Sequence, residues 1–488
     1  MFVRHVMQLG LANVGAQALS LLIVPILTRL YSPADFGAFA IYLAILNTLG
    51  PIASLRLQAA LALPEQPEES RRLLHISLIV LGMNVALTAL LAGIVIGEGW
   101  IPDEWMSDER RFLLLLLPFN LAALGLVQIY SAWTMLHHRA SATALARMTE
   151  SVVDRSTSCL CAFSAAIHPL GLIAGRLVGS GAAAYSLWRA SRAHVSTTRD
   201  SRPDVRSLLP VAIRYRHFAL VSSAATVCDS AARQAPALLL AFLFSPAIAG
   251  YYALAFQVVN VPLLIAGDAL ASTYFQRAAR LRATPEQLTH STAKLFRSML
   301  SLIIPMTLGL SFLGSSVFNQ IFGNGWAPAG EYAQVLAAGF LFMFLHRPLS
   351  VLFDVYEAQS ARLRFDIVNL ALRMAVMMAI AHWGGSPLMV LLGFTITSAA
   401  IYGSALVYLL SMAGISPRHS LWMMARHATL FFPLGFGLWT IATFGLFSVS
   451  ALGATVTALC LQMILLMKFE RETLSLGSLL IPGTAQVR

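Results

Sequence analysis

Apolar residues run along this chain in blocks of about twenty, separated by short polar breaks, which is the spacing of helices that cross a bilayer. The blocks fall at roughly 8–30, 36–56, 73–97, 112–135, 149–167 and 169–189. They resume at roughly 217–244, 247–272, 295–317, 330–355, 365–383, 387–412, 428–447 and 450–468. The pattern predicts an all-α integral membrane protein of about fourteen transmembrane helices. The fifth block is the most polar, because Glu150, Asp154, Arg155 and a Ser/Thr cluster interrupt it. The longest polar stretch, 191–216, is about 26 residues, enough for a linker and too short for a domain.

Composition sharpens this picture. Of 488 residues, 58% are hydrophobic and 11% charged. A soluble protein carries about 25% charged residues, since a large water-exposed domain needs a polar skin. A lipid-facing exterior removes that need. The N-terminal run has Arg4 and His5 before it, as a signal peptide would. It is followed by Thr28-Arg29-Leu30-Tyr31-Ser32-Pro33 rather than a small-residue cleavage site, so it is expected to remain as the first helix.

The net charge of +11 is distributed in a way that argues against nucleic acid. Of 33 Lys and Arg residues, about 25 fall on one side of the alternating helices and about 3 on the other, with five inside spans. The positive-inside rule then puts both termini in the cytoplasm of a bacterial cell, with the chain in the inner membrane. No basic stripe with interleaved aromatics accompanies the charge.

The chain also repeats. Ser32-Pro33-Ala34-Asp35-Phe36-Gly37 returns as Ser245-Pro246-Ala247-Ile248-Ala249-Gly250, and the same offset of about 213 residues aligns Asn47 with Asn260. Six helices separate the copies, an even number, so the repeat is parallel. The expected organisation is an N-terminal six-helix lobe over 1–190, a basic cytoplasmic linker over 191–216 and a C-terminal six-helix lobe over 217–412. Two additional helices over 413–468 and a cytoplasmic tail over 469–488 complete it. Two matched lobes with a site between them is a transporter plan. Pro25, Pro236 and Pro262 are placed to kink the first, seventh and eighth helices.

Several segments resemble the polysaccharide and O-antigen flippases of the multidrug/oligosaccharidyl-lipid/polysaccharide exporter superfamily. They are Pro25-Ile26-Leu27-Thr28-Arg29-Leu30-Tyr31-Ser32-Pro33-Ala34-Asp35-Phe36-Gly37, Leu55-Arg56, Leu63-Pro64-Glu65 and Ala249-Gly250-Tyr251-Tyr252-Ala253-Leu254. Val261-Pro262-Leu263, Tyr274-Phe275-Gln276-Arg277, Trp326-Ala327-Pro328-Ala329-Gly330-Glu331 and Arg347-Pro348-Leu349 extend the likeness, which covers most of 1–375. The resemblance implies a transporter rather than an enzyme, moving undecaprenyl-diphosphate-linked oligosaccharide to the periplasmic face by alternating access. Polysaccharide polymerase and assembly proteins are its implied partners. Where the family tends to place an acid soon after the arginine matching Arg56, this chain has Gln58, so no ion-coupling role carries over to that position.

Ionisable residues at membrane depth are costly unless paired or wetted, so they are the first site candidates. Asp229 and Arg233 are four apart on one helical face; Asp366, Asn369 and Arg373 share a face at i, i+3, i+7; Arg347 and Asp354 are seven apart. Two readings stand for these. Arg233, Arg373, Arg347 and Arg176 line a cationic cavity that grips a diphosphate, or each Arg–Asp pair is a structural lock. Arg56 sits near a span end, where snorkelling accounts for it equally well. Asn13 and Gln17 on the first helix either touch sugar hydroxyls or bond a neighbouring helix. Asp229, Asp354 and Asp366 are the candidates for coupling or pairing.

Other chemistry finds little support. Cys159, Cys161, Cys228 and Cys460 lack the three- or four-residue helical spacing of metal ligands, so no metal site is expected. His137-His138-Arg139 reads as a basic interfacial anchor. No P-loop is present, and no cofactor is expected. A drug exporter of the same superfamily should favour acidic cavity residues, and a polymerase or ligase needs a catalytic constellation on an extracytoplasmic loop. The longest such loop, Glu98 to Arg111, holds none.

Overall fold

A computed structural model describes residues 20–444, apart from 62, 65, 99–111, 138, 164–167, 196–204 and 262–265, together with Gly15 and Gln17. The described residues are helical, without a strand. They form α1 (Ser20–Leu30), α2 (Pro33–Leu49), α3 (Pro67–Gly97), α4 (Leu117–Leu136), α5 (Ala140–Ala162), α6 (His168–Val195) and α7 (Val205–Leu243). Beyond these come α8 (Pro246–Val259), α9 (Asp268–Leu281), α10 (Pro285–Phe322), α11 (Ala327–Leu349), α12 (Gln359–His382), α13 (Pro387–Met412) and α14 (Pro417–Phe444). The last expected helix, 450–468, and the tail lie outside the described residues.

Seven stretches among the described residues are long and apolar enough to cross a bilayer. Their lipid-facing character is plainest on α3, where Ile79, Met83, Leu87, Leu90, Leu91 and Ile94 are all exposed. Side chains so apolar are left outside a core only where the surroundings are themselves apolar. At 38 residues, α10 is about 57 Å long at 1.5 Å per residue, well beyond the ~30 Å hydrocarbon thickness. Its polar first turns, with Glu286, His290 and Lys294, account for the excess.

The chain forms two compact units, 1–253 and 254–488. The core of the first is built from Tyr42, Leu46, Leu73, Leu121, Trp133 and Ile173, joined by Leu208, Val211, Tyr215 and Ala219 of α7. Those last four recur at intervals of three and four, the stripe of an amphipathic helix. Hence α7 begins at Val205, inside the basic stretch expected as linker, rather than at 217. The core of the second unit gathers Phe296, Phe344, Phe353, Leu406 and Phe431. Within the expected eighth span, α8 covers Pro246–Val259 and α9 starts at Asp268, while residues 262–265 between them, Pro262 included, lie outside the described residues. Pro25 and Pro236 lie inside α1 and α7.

The repeated motif has a local explanation. Ser32 caps α2: its hydroxyl accepts from the Asp35 N–H at 3.2 Å, while the Ser32 N–H donates to Asp35 Oδ2 at 3.0 Å. Together they form a capping box with Pro33 at the first helical position. At the second copy Ser245 Oγ accepts from the Ile248 N–H at 3.4 Å, and an isoleucine in place of the acid leaves the box half made.

The glycines of the motif serve a different purpose. Within the first unit the two copies meet: a Cβ on Gly37 would fall on the Pro246 carbonyl, 3.2 Å from the Pro246 Cα. Reciprocally, a Cβ on Gly250 would fall on the Pro33 carbonyl, 2.9 Å from the Gly37 nitrogen. The two contacts exchange equivalent residues of the repeat. Gly37→Ala and Gly250→Ala should therefore destabilise the fold by similar amounts, about 1–3 kcal/mol each. Thermal denaturation of the two purified variants checks this; clearly unequal losses would deny the equivalence.

Candidate functional site

Charged and polar side chains form one cluster in the first unit and another in the second. In the first, α5 and α6 form a hairpin whose spacing is set by Gly171, Gly175 and Gly179, four residues apart on one face of α6. A Cβ on Gly171 would sit 2.8 Å from the Cys161 Cβ; one on Gly175 would sit 2.7 Å from the Asp154 carbonyl oxygen. At Gly179 it would meet the Asp154 Cβ and the Glu150 carbonyl oxygen, both at 2.8 Å. Small residues at this spacing let helix backbones approach closely in a membrane.

That approach brings together the charges that interrupt the fifth span. Arg176 Nη1 lies 2.9 Å from Glu150 Oε1, with the two side chains only 25% and 15% exposed. Ser180 Oγ donates to the same carboxylate at 3.1 Å. Arg155 donates to Ser20 Oγ of α1 at 2.8 Å, and the Tyr31 hydroxyl donates to the Ser158 carbonyl at 2.7 Å. Arg176, expected as a cavity residue, is thus a partner in an ion pair, and its Nε is buried without a hydrogen bond. Removing one partner leaves the other charge buried, so Glu150→Ala should cost about 3–5 kcal/mol. Glu150→Met with Arg176→Met should recover most of that loss in thermal denaturation.

The remaining first-unit candidates are dispersed. Arg56 has left-handed backbone (φ 59°), as has Leu55 before it (φ 50°), and its Nε donates to Ser222 Oγ at 3.2 Å. Non-glycine residues in this region are strained and persist where the surroundings fix them. Gln58 is buried among neutral partners, donating to Gln128 Oε1 at 3.1 Å and accepting from Ser54. Gln17 is exposed on its helix, and Arg233 is exposed on α7. Asn13 lies outside the described residues, as does the side chain of Asp229.

In the second unit, α11, α12 and α13 pack together around a polar track. Arg373 on α12 stacks its guanidinium over the Phe394 ring of α13, 4.1 Å from the centroid, and its Nε is buried without a hydrogen bond. Among the described residues no carboxylate pairs with it. One turn earlier, Asn369 Nδ2 donates to the Tyr402 hydroxyl at 3.1 Å while its Oδ1 is unbonded. A further turn back, Phe365 stacks on His346 at 4.9 Å, and His346 lies 5.1 Å from Tyr402 with Nε2 buried and unbonded. Buried polar atoms normally find partners, so a row of open ones marks where water or a ligand belongs.

Asp366 is exposed at the far end of this face. Arg347 is exposed on α11, and Asp354 pairs with Arg362 at 3.3 Å, not with Arg347 as the lock reading required. The seven-residue spacing fails because α11 stops at Leu349, before Asp354. His346 is the residue that charge spacing missed. Its signal was an ionisable ring inside an apolar span, next to Arg347.

A profile of the polysaccharide biosynthesis protein family matches residues 26–331. The chain belongs to that family. It is 23% identical over 335 residues to the succinoglycan biosynthesis transport protein ExoT of Rhizobium meliloti (strain 1021), a match spanning 67% of this chain. The match takes in 64% of that relative, just under two thirds of its length. Among solved structures, the lipid II flippase MurJ in its inward closed conformation superposes with a TM-score of 0.72 at 13% identity, covering 96% of this chain and 99% of that one. An inward-facing multidrug resistance MATE family transporter of the MOP superfamily gives 0.63 at 12% identity, over 83% and 98%. A MOP superfamily transporter from Pyrococcus furiosus gives 0.53 at 14% identity, over 84% and 96%. The family member therefore has the MOP fold.

Proposed function

We propose that this family member is a flippase for undecaprenyl-diphosphate-linked oligosaccharide, an O-antigen or other polysaccharide repeat unit. It carries the polar head from the cytoplasmic to the periplasmic face of the inner membrane by alternating access, while the polyprenyl tail stays in lipid. Both termini are cytoplasmic, and polysaccharide polymerase or assembly proteins receive the product. Unaided passage of a charged diphosphate through hydrocarbon is prohibitively costly, so a polar route has to be supplied.

One observation carries the substrate class. Arg373 is a cation on α12, held on an aromatic face, with a buried Nε–H unspent and no carboxylate beside it among the described residues. Such a group calls for an anion, and guanidinium matches phosphate with parallel hydrogen bonds. The family and the ExoT likeness point the same way, towards polysaccharide export. A drug or small-cation exporter would instead need an acid in this place. Cells lacking the protein should accumulate lipid-linked repeat units on the cytoplasmic face. Accumulation of units already flipped and unpolymerised would assign the chain to polymerisation or ligation.

A further inference from the structure

Asp154 is 5% exposed at the heart of the α5–α6 hairpin, and its carboxylate receives one long hydrogen bond, from Ser158 Oγ at 3.4 Å. The two nearest guanidinium groups are engaged elsewhere, Arg176 with Glu150 and Arg155 with Ser20. Glu150 and Asp154 stand four apart on α5, on one face, and Arg176 of α6 acts electrostatically on both. One guanidinium thus lies within electrostatic reach of two carboxylates, Asp154 buried and Glu150 partly buried. Given to Glu150, it leaves Asp154 suited to the neutral acid; an ionised Asp154 would draw it away.

We propose that Asp154 binds and releases a proton during each transport cycle, and that Arg176 shifts between Glu150 and Asp154 as it does so. The inference rests on the proposed transport function and supplies its energy coupling. Protonation leaves Arg176 with Glu150. Deprotonation sends a proton to one side of the membrane and recruits Arg176 to the new carboxylate, changing the packing of α5 on α6. A ligand or conformation that favours one arrangement must, by reciprocity, change proton binding.

The surroundings favour a proton over a metal cation. Oxygen-ligated cations gather about six ligands. Here Gly175 closes on the carboxylate, since a Cβ there would lie 3.1 Å from Oδ1, and Gly179 presses on the Asp154 Cβ. Among the described residues no three His, Cys, Asp or Glu side chains gather as metal ligands. The titratable groups near Asp154 are Glu150, Arg155, Cys159 and Cys161 on α5, Arg176 on α6 and Tyr31 beyond α1. The α4 helix, also packed on α5, has no charged side chain, and Tyr130 is its one titratable group.

Two measurements decide the matter. In proteoliposomes carrying labelled undecaprenyl-diphosphate-linked saccharide, a one-unit pH gradient should change wild-type accumulation by about tenfold per coupled proton. Asp154→Asn should lose the gradient response, whereas Asp154→Glu should keep it. A gradient response surviving in Asp154→Asn, or a wild type driven by sodium instead, would overturn the proposal. Independently of transport, the pH-difference infrared spectrum of purified wild type should contain a protonated-carboxyl band that Asp154→Asn lacks. An unchanged band would overturn the proposal even if no flux is seen, while absent wild-type flux alone would count against the flippase reading. Should Asp154→Asn fail to fold, Asp154→Glu must shift the band; an unshifted band is again a negative result.

Discussion

Gly179→Val should leave little folded protein, while Gly181→Ala, two residues along the same helix, should be tolerated. The Cβ added at Gly179 lands 2.8 Å from the Asp154 Cβ and 3.0 Å from the Asp154 backbone nitrogen. Neither atom can swing aside, because both belong to the backbone of α5 or to its first side-chain carbon. Overpacking ordinarily costs about 1–3 kcal/mol and more where backbone must move. Valine adds two methyl groups to that first carbon. Gly181, by contrast, has nothing within 4 Å of the same position. Alanine there should be neutral, or stabilising by up to about 1 kcal/mol through helix propensity. Folded yield and thermal midpoint in detergent measure both. Equal tolerance at the two positions would mean that α5 and α6 are not pressed together along the glycine stripe.

Arg373→Ala should reduce transport while leaving the chain inserted and folded. Losing one partner of a buried charge contact costs about 2–5 kcal/mol, so flux at low substrate should fall by roughly tenfold or more. Arg373→Lys keeps the charge and loses the planar fork that both stacks on Phe394 and grips two oxygens, so its flux should lie between the two. Insertion should survive because, among the described residues, Arg373 has no carboxylate partner that the change would strand. Initial rates of labelled lipid-linked oligosaccharide transport, normalised to inserted protein, give the answer. Undiminished flux in Arg373→Ala would remove this residue from the substrate's path.

Much of this arrangement was legible in the order of residues. The apolar blocks predicted the helices, and the α13 bounds, Pro387–Met412, agree with the expected 387–412. The repeat was legible too, and its glycines turn out to face one another. Partners across helices were harder to foresee. Asp354 and Arg347 share a spacing that holds only on an unbroken helix, and α11 ends between them. Glu150 and Arg176 are about 26 residues apart, and only the tight hairpin brings them together. The glycine stripe that makes it tight was readable as G-x-x-x-G-x-x-x-G at Gly171, Gly175 and Gly179. The arginines of 191–216 hid the apolar stripe of Leu208, Val211, Tyr215 and Ala219, because charge drew attention from periodicity.

These pieces assign different physical tasks to the two units. In the first, glycines press two helices together so that Arg176 of one meets Glu150 of the other. In the second, an arginine that has no counter-ion among the described residues, an asparagine and a histidine leave open polar atoms along one track. The proposed transport of an anionic glycolipid requires both a seat for negative charge and a source of free energy, the roles proposed for Arg373 and Asp154.

The most direct test is exposure of the saccharide in sealed vesicles. Proteoliposomes loaded with labelled undecaprenyl-diphosphate-linked oligosaccharide on one leaflet are treated with a membrane-impermeant oxidant of sugars on the other. Vesicles containing the wild-type protein should render the sugar progressively oxidisable, and protein-free vesicles should not. Equal protection with and without the protein, under every ion gradient applied, would contradict the flippase assignment.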